Sequence, residues 1–190
     1  MSGTDRLTWL RVPDEDELPA EILELWRPSV EKLGFVPNVL RLYALRPSRL
    51  LAWNAHYEEA MKGDSTLTKA EREMIAVVVS VTNDCAYCIA AHSAALRKLT
   101  KNPALADQIA ADYVQADISD RMKRALDYAV KLTQAPAAMS ETDVDSLRNA
   151  GWTDEDVMDI AEVTAVFNFS NRMASGLGWA PNPEYETLGR

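Results

Sequence analysis

Residues 68–99, TKAEREMIAVVVSVTNDCAYCIAAHSAALRKL, decide the fold of this 190-residue chain. Thr68 and Glu71 have the spacing of a capping box, in which a hydroxyl and a carboxylate each bond the other residue's backbone N–H group at a helix start. The β-branched run Ile75–Val79 leaves a strand as the competing interpretation. Because the capping box and a charged first turn precede that run, the sequence favours a helix to about Thr82.

A second helix is predicted after a short break. Asn83 and Asp84 are N-cap residue types, and the helix they start should run from Cys85 to about Leu99, with Cys85 in its first turn. Unpaired N–H groups and the helix dipole favour a thiolate at such a position. Both cysteines of the chain therefore lie where their reactivity is expected to be raised.

Cys85, Cys88 and His92 follow the spacing i, i+3 and i+7. At about 100° per residue they occupy an arc of about 60° on one helix face. His92 is thus one turn beyond Cys88, and a histidine there can accept and return a proton near neutral pH. Glu73 lies on the preceding helix. If the two helices pack as a hairpin, its carboxylate returns toward Cys85 and His92, where it would orient the imidazole or take a thiol proton.

The remaining chain also reads as helices from end to end, so the predicted fold class is all-α. Apolar periodicity predicts helices from about Glu21, over 39–45, from Pro47 to about Met61, and over 103–114, 119–134, 140–150 and 153–177. Residues 1–190 are expected to form a single domain, with an N-terminal arm at 1–17 and a C-terminal tail at 179–190. The arm and the tail are candidates to wrap a neighbouring subunit.

Composition excludes several classes of protein. Lys and Arg total 20 and Asp and Glu total 29, a formal net charge of −9, which disfavours nucleic acids and anionic membrane surfaces as partners. Two cysteines exclude a disulfide scaffold. Residues 1–10 have neither the basic nor the apolar region of a signal peptide. The cytoplasm is the expected compartment.

Three stretches of the chain together resemble one protein family. Glu73, eleven intervening residues, Cys85-Ala86-Tyr87-Cys88, three more residues and His92 are similar to the signature of alkylhydroperoxidase D-like (AhpD-like) proteins, within the carboxymuconolactone decarboxylase superfamily. Residues 33–39 (LGFVPNV) and 168–174 (NFSNRMA) resemble flanking segments of its peroxidase-related branch. Together these stretches span most of the chain, and the central motif is specific.

The resemblance implies a fold, an assembly and a reaction. It implies an AhpD-like helical subunit whose helix hairpin carries the CxxC motif at a helix N-terminus, assembled as a homotrimer or homohexamer. It also implies reduction of a small hydroperoxide, with Cys88 as the peroxidatic nucleophile, Cys85 as the resolving thiol, and His92 and Glu73 as a proton relay. No metal, flavin or haem is expected, and the reductant would be an external dithiol or a lipoyl-bearing protein. Where some members have a second histidine, this chain has Tyr87, which does not relay protons at neutral pH.

Two other functions compete for the same residues. Cys85, Cys88, His92 and Glu73 have the ligand types of a tetrahedral zinc site. The dithiol would equally serve a redox sensor or a binding protein without efficient turnover. The decarboxylase activity of the superfamily is less favoured, because it does not need a cysteine pair.

Other conspicuous residues have simpler interpretations. His56 is expected to be structural or to line a pocket. The five tryptophans are expected to anchor the core or an interface. Asn168, Asn171 and Arg172 interrupt an apolar helix and are expected to form a hydrogen-bond network between helices or subunits.

Overall fold

The computed structural model describes residues 6–190, and these form helices with no strand among them. The predicted all-α fold class is therefore confirmed. The helices are α1 (Ala20–Leu33), α2 (Asn38–Tyr43), α3 (Pro47–Lys62), α4 (Lys69–Thr82), α5 (Ala86–Thr100), α6 (Pro103–Asp112), α7 (Asp120–Gln134), α8 (Glu141–Asn149) and α9 (Asp154–Leu177). Short 3₁₀ turns occur at Glu15–Glu17, Pro136–Ala138 and Pro183–Glu186.

Helix α4 lies at the centre of the molecule and packs against α5, α7 and α9. Its residues 75–77 and Val79 have no exposed surface. A helix that is surrounded by others is apolar on all sides. This explains why the run Ile75–Val79 has no alternation of polar and apolar residues and was open to interpretation as a strand.

The predicted capping box at the start of α4 is present. The Glu71 backbone N–H donates to Thr68 Oγ1 at 3.2 Å, and the Thr68 N–H donates to a Glu71 carboxylate oxygen at 2.8 Å. These two bonds satisfy N–H groups that a helix start leaves unpaired. They fix where α4 begins, and so fix the position of Glu73 two residues later.

Helix α9 ends at Gly178, whose φ of +64° is in the left-handed region. A Cβ atom here would also collide with the Trp9 indole, so both the backbone and the packing require glycine. Trp9 itself is 62% exposed, whereas Trp26, Trp152 and Trp179 are buried. The three buried tryptophans thus agree with the expectation of core anchors, and Trp9 does not.

Both ends of the described chain fold back onto its own helices. Thr8 Oγ1 donates to the Leu177 carbonyl at 2.6 Å, and the Ala180 N–H donates to the Leu7 carbonyl at 2.9 Å. Arg97 of α5 donates to the Tyr185 and Leu188 carbonyls at 2.5 and 3.1 Å. These contacts lie within one chain. That the arm and tail also wrap a neighbouring subunit stays a prediction, and residues 1–5 of the arm lie outside the described residues. No helix within 6–190 combines the length and the apolar character needed to cross a bilayer.

Candidate active site

The break between α4 and α5 sets the position of the first cysteine. Asp84 has a φ of +51°, a conformation that aspartate tolerates better than most residues. The Cys85 N–H then donates to the Ser80 carbonyl at 2.9 Å. Cys85 is the N-cap of α5, with extended backbone angles, not a first-turn residue capped by Asn83 or Asp84. The prediction was one position off, because the left-handed turn at Asp84 moves the helix start onto the cysteine.

Both sulfurs are buried at this helix start. Cys85 is 1% exposed and Cys88 3%, and the two form no disulfide. A hydrogen bond with the Cys88 side chain lowers the pKa of the Cys85 thiol to about 6, although burial acts in the opposite direction. The same bond and burial raise the pKa of Cys88. Of the two sulfurs, Cys85 is thus the more acidic.

The hairpin of α4 and α5 brings Glu73 to His92. Glu73 Oε2 and His92 Nδ1 are 2.7 Å apart, and the two side chains are 11% and 12% exposed. Since a carboxylate only accepts hydrogen bonds, Nδ1 carries the hydrogen in this pair, which leaves Nε2 to exchange a proton. The rings of His92 and of Phe167 on α9 pack in a T-shaped arrangement, with centroids 4.5 Å apart. The imidazole is thus held from two sides, one turn along α5 from Cys88.

A network of amides joins α9 to the break before Cys85. The Asn83 side-chain N–H₂ donates to Asn168 and Asn171 at 3.2 and 3.0 Å, and Asn171 donates to Ser80 at 3.0 Å. This is the interhelical network expected from the polar residues in α9. Hydrogen bonding by Asn171 also lowers the pKa of both thiols. Asn171 therefore belongs to the dithiol environment as well as to the helix packing.

Side chains from both ends of the chain cover the dithiol. Apolar contacts around the two cysteines form what we call the dithiol cluster, consisting of Leu42, Cys85, Tyr87, Cys88, Ala174 and Trp179, with Leu7, Val12 and others packed on it. The Tyr87 hydroxyl accepts a hydrogen bond from the Val39 N–H at 2.9 Å, which ties α5 to α2. Tyr87 is thus a structural residue of this cluster, and burial raises its pKa well above the usual value.

Three residues near the site were missed in the sequence. Tyr57 lies 6.4 Å from His92 between ring centroids, Tyr185 lies 6.4 Å from Tyr87, and Arg97 anchors the tail. Burial raises the pKa of Tyr185 to about 12, and the charges of Cys88 and Glu73 contribute to this shift. Of the three, only Tyr57 lies in a recognisable local pattern of the sequence, the aromatic residues of α3. The tail residues gave none, because they reach the site through tertiary folding.

Two further sequence predictions concern ligands. Within 6–190, no three Cys, His, Asp or Glu side chains converge as metal ligands would. In this geometry Glu73 binds His92, and the alternative zinc site at Cys85, Cys88, His92 and Glu73 stays a prediction. His56 is exposed and lies 3.7 Å from Glu162, on α3 and apart from the dithiol cluster.

Comparisons with known proteins agree on a family. Residues 48–135 match the carboxymuconolactone decarboxylase family. The chain is similar to the alkylhydroperoxidase AhpD core of Ralstonia eutropha JMP134, an uncharacterized peroxidase-related protein (43% identity, 97% of each chain, TM-score 0.94). An uncharacterized peroxidase-related protein from Silicibacter sp. TM1040 is similar over 100% of each chain, with 44% identity and a TM-score of 0.95. The debrominase Bmp8, solved with 2,3,4-tribromopyrrole, shares the fold at 18% identity over 95% of each chain (TM-score 0.80). No curated protein matches the sequence.

Proposed function

Because this chain belongs to the carboxymuconolactone decarboxylase family, we propose that it is a thiol-dependent hydroperoxide reductase. The observation that carries the proposal is the 2.7 Å contact between Glu73 and His92, one helical turn from the buried cysteine pair. A dithiol and a buried acid–base pair are the groups that peroxide reduction by thiols requires. The peroxidase-related character of the two relatives at 43% and 44% identity supports the same reaction.

The oxidative half-reaction begins at Cys88. His92 Nε2 takes the proton of the Cys88 thiol, and Glu73 stabilises the imidazolium that results. The Cys88 thiolate then attacks the distal peroxide oxygen, so an S–O bond forms and the O–O bond breaks. The alkoxide leaves as an alcohol with the proton returned through His92. Two electrons have passed from sulfur to oxygen, and Cys88 is a sulfenic acid.

Cys85 completes the cycle of the dithiol. Its thiolate attacks the Cys88 sulfur, an S–S bond forms, the S–O bond breaks, and hydroxide departs as water with a proton drawn from solvent. A pKa of about 6 suits Cys85 to this resolving role, because it is already a thiolate at neutral pH. An external dithiol or a lipoyl-bearing protein then reduces the disulfide by exchange. No metal or organic cofactor takes part in this scheme, and a homotrimer or homohexamer is the assembly that we propose.

The proposal is tested by steady-state consumption of cumene hydroperoxide. Dihydrolipoamide, a thioredoxin and glutathione are supplied separately as electron donors. We expect turnover with at least one dithiol donor and none for Cys88→Ser. Cys85→Ser should be oxidised once, to a sulfenic acid that dimedone traps, without turnover. Wild-type activity in Cys88→Ser would contradict the proposal.

The burial of both sulfurs favours one second function, that of a dithiol redox sensor. Thiols that are 1% and 3% exposed react slowly with bulky donors unless their cover moves. A sensor would be oxidised by peroxide in a single turnover and would not be recycled by any of the three donors. Repeated turnover with a dithiol donor would exclude it.

A further inference from the structure

Tyr57 of α3 places its ring beside the relay histidine. Its ring centroid lies 6.4 Å from His92 and 6.4 Å from Phe167, and it stacks on Trp53 at 5.2 Å. The side chain is half-buried. Tyr57 therefore forms a wall shared by the imidazole and the aromatic residues of α3 and α9.

The Tyr57 hydroxyl has a hydrogen to give. Among residues 6–190 no protein group forms a hydrogen bond with it, whereas the Tyr87 hydroxyl is engaged by the Val39 N–H. Burial raises the pKa of Tyr57 well above its usual value, and the charges of Glu73 and Cys88 add to that effect. The phenol thus stays protonated at neutral pH and is close enough to the site to feel its charges. A hydroxyl without a protein partner, on a ring whose centroid lies 6.4 Å from that of His92, is free to bind substrate oxygen.

We propose that the Tyr57 hydroxyl donates the proton that the leaving oxygen of the hydroperoxide takes up. This inference rests on the proposed hydroperoxide reductase function. It adds the group that gives a proton to the leaving oxygen. An alkoxide is a stronger base than a phenolate, so transfer from tyrosine to the departing oxygen is downhill even when burial weakens the phenol as an acid.

The proton route then balances as follows. The Cys88 thiolate forms the S–O bond, and the distal oxygen keeps its hydrogen as part of the sulfenic acid. As the O–O bond breaks, the proximal oxygen takes the Tyr57 proton and leaves as an alcohol. The imidazolium of His92, which holds the original Cys88 proton, returns that proton to the Tyr57 oxygen. No additional oxidant or reductant is needed for this step.

The test is a single-turnover measurement on the full chain, reduced beforehand and mixed with cumene hydroperoxide in a stopped-flow instrument. Tryptophan fluorescence reports oxidation, since Trp179 lies in the dithiol cluster. We expect Tyr57→Phe to react about 10²-fold more slowly, which is the lower end of the rate contribution that a general acid makes. Because the hydroxyl has no protein partner, the urea midpoint of this variant should equal that of the wild type.

A second peroxide separates proton donation from packing. Peracetic acid releases acetate, which needs no proton at neutral pH, so Tyr57→Phe should react with it at the wild-type rate. A packing defect would slow both peroxides equally, and that outcome would overturn the inference. So would a wild-type rate of Tyr57→Phe with cumene hydroperoxide.

Tyr185→Phe and Tyr87→Phe are the matched controls. Tyr185 packs on Tyr87 and Phe35 instead of His92, so its variant should keep the wild-type rate with both peroxides. If Tyr185→Phe slowed the reaction with cumene hydroperoxide but not with peracetic acid, Tyr185 would be the donor and the inference would be wrong.

Tyr87→Phe should lower the urea midpoint, because it removes the acceptor of the Val39 N–H. If wild-type protein failed to reduce cumene hydroperoxide at all, the proposed function itself would fail.

Discussion

At the scale of single residues, the contact between the two cysteines predicts how their thiols ionise. Since a hydrogen bond with Cys88 lowers the pKa of Cys85 to about 6, the reduced protein should show thiolate absorbance at 240 nm that rises as the pH passes 6. The step should correspond to one thiolate, because the pKa of Cys88 is raised. Below this pH both sulfurs are protonated.

Two variants assign that step. Cys85→Ser should abolish it, and Cys88→Ala should move it to higher pH by removing the hydrogen-bond partner. If the step survived in Cys85→Ser, the acidic thiol would be Cys88 instead.

Asn171 connects this chemistry to stability. It is 1% exposed and joins Asn83 to Ser80, so Asn171→Ala leaves the buried Ser80 hydroxyl without this partner. The expected loss is about 1–3 kcal/mol in the free energy of unfolding, measured with urea. The 240 nm step should also move to higher pH, because the Asn171 hydrogen bond that lowers the Cys85 pKa is gone. Asn149→Ala, at an exposed position, is the control and should change neither quantity.

Sequence alone could predict the residues that lie close together along the chain. The spacing of Cys85, Cys88 and His92 follows from helix geometry, and Glu73 reaches His92 because a short break forces a hairpin. Tyr57 and Arg97 could not be assigned, because their roles depend on packing between α3 and α9 and on the docking of the tail. Such contacts between distant segments leave no periodic signal in the sequence.

At the scale of helices, the start of α4 positions the carboxylate of the site. Thr68→Ala removes the acceptor of the Glu71 N–H and should lower the free energy of unfolding by about 1 kcal/mol, the usual cost of losing an N-cap. Single-turnover peroxide reduction should keep its rate while the protein remains folded. Lys69→Ala, at the exposed next position, is the matched control. An unchanged urea midpoint in Thr68→Ala would show that the capping box contributes nothing.

The helix boundaries show where residue types and short-range spacing are sufficient to predict the structure. The box at Thr68 was predicted correctly because its two bonds depend only on residues three apart. The start of α5 was predicted one residue too early, because Asp84 adopts a left-handed turn that residue types alone do not specify. The central run of α4 was ambiguous for another reason. A helix buried on every side has lost the amphipathic pattern by which helices are recognised.

At the scale of the whole molecule, Arg97 connects the tail to the helix that carries the cysteines. Its guanidinium donates to the Tyr185 and Leu188 carbonyls, and it is 4% exposed. Arg97→Met retains most of the side-chain volume but loses both bonds. Hydrogen bonds to charged groups contribute about 1.5–3 kcal/mol each, and about 1.4 kcal/mol changes a population tenfold. The undocked tail should therefore be populated at least about tenfold more often.

This change is measured as the rate at which the thiols react with a bulky aromatic disulfide such as DTNB. We expect at least about a tenfold faster reaction in Arg97→Met, because opening of the tail limits access. Lys98→Met alters the exposed neighbouring side chain and should react like the wild type. Equal rates for Arg97→Met and the wild type would mean that the tail does not control access to the sulfurs.

The cover over the dithiol is assembled from segments that are far apart in the sequence, such as Thr8 and Leu177, which are separated by 169 positions. A ribosome makes Cys85 and Cys88 long before it makes Trp179 and Tyr185. The nascent chain therefore presents an open CxxC motif to the cell, and the motif is enclosed only after residue 185 has emerged. Until then the two thiols lack the cover that the finished fold gives them. The burial of this CxxC motif is therefore a property of the complete fold and not of the helix hairpin that carries it.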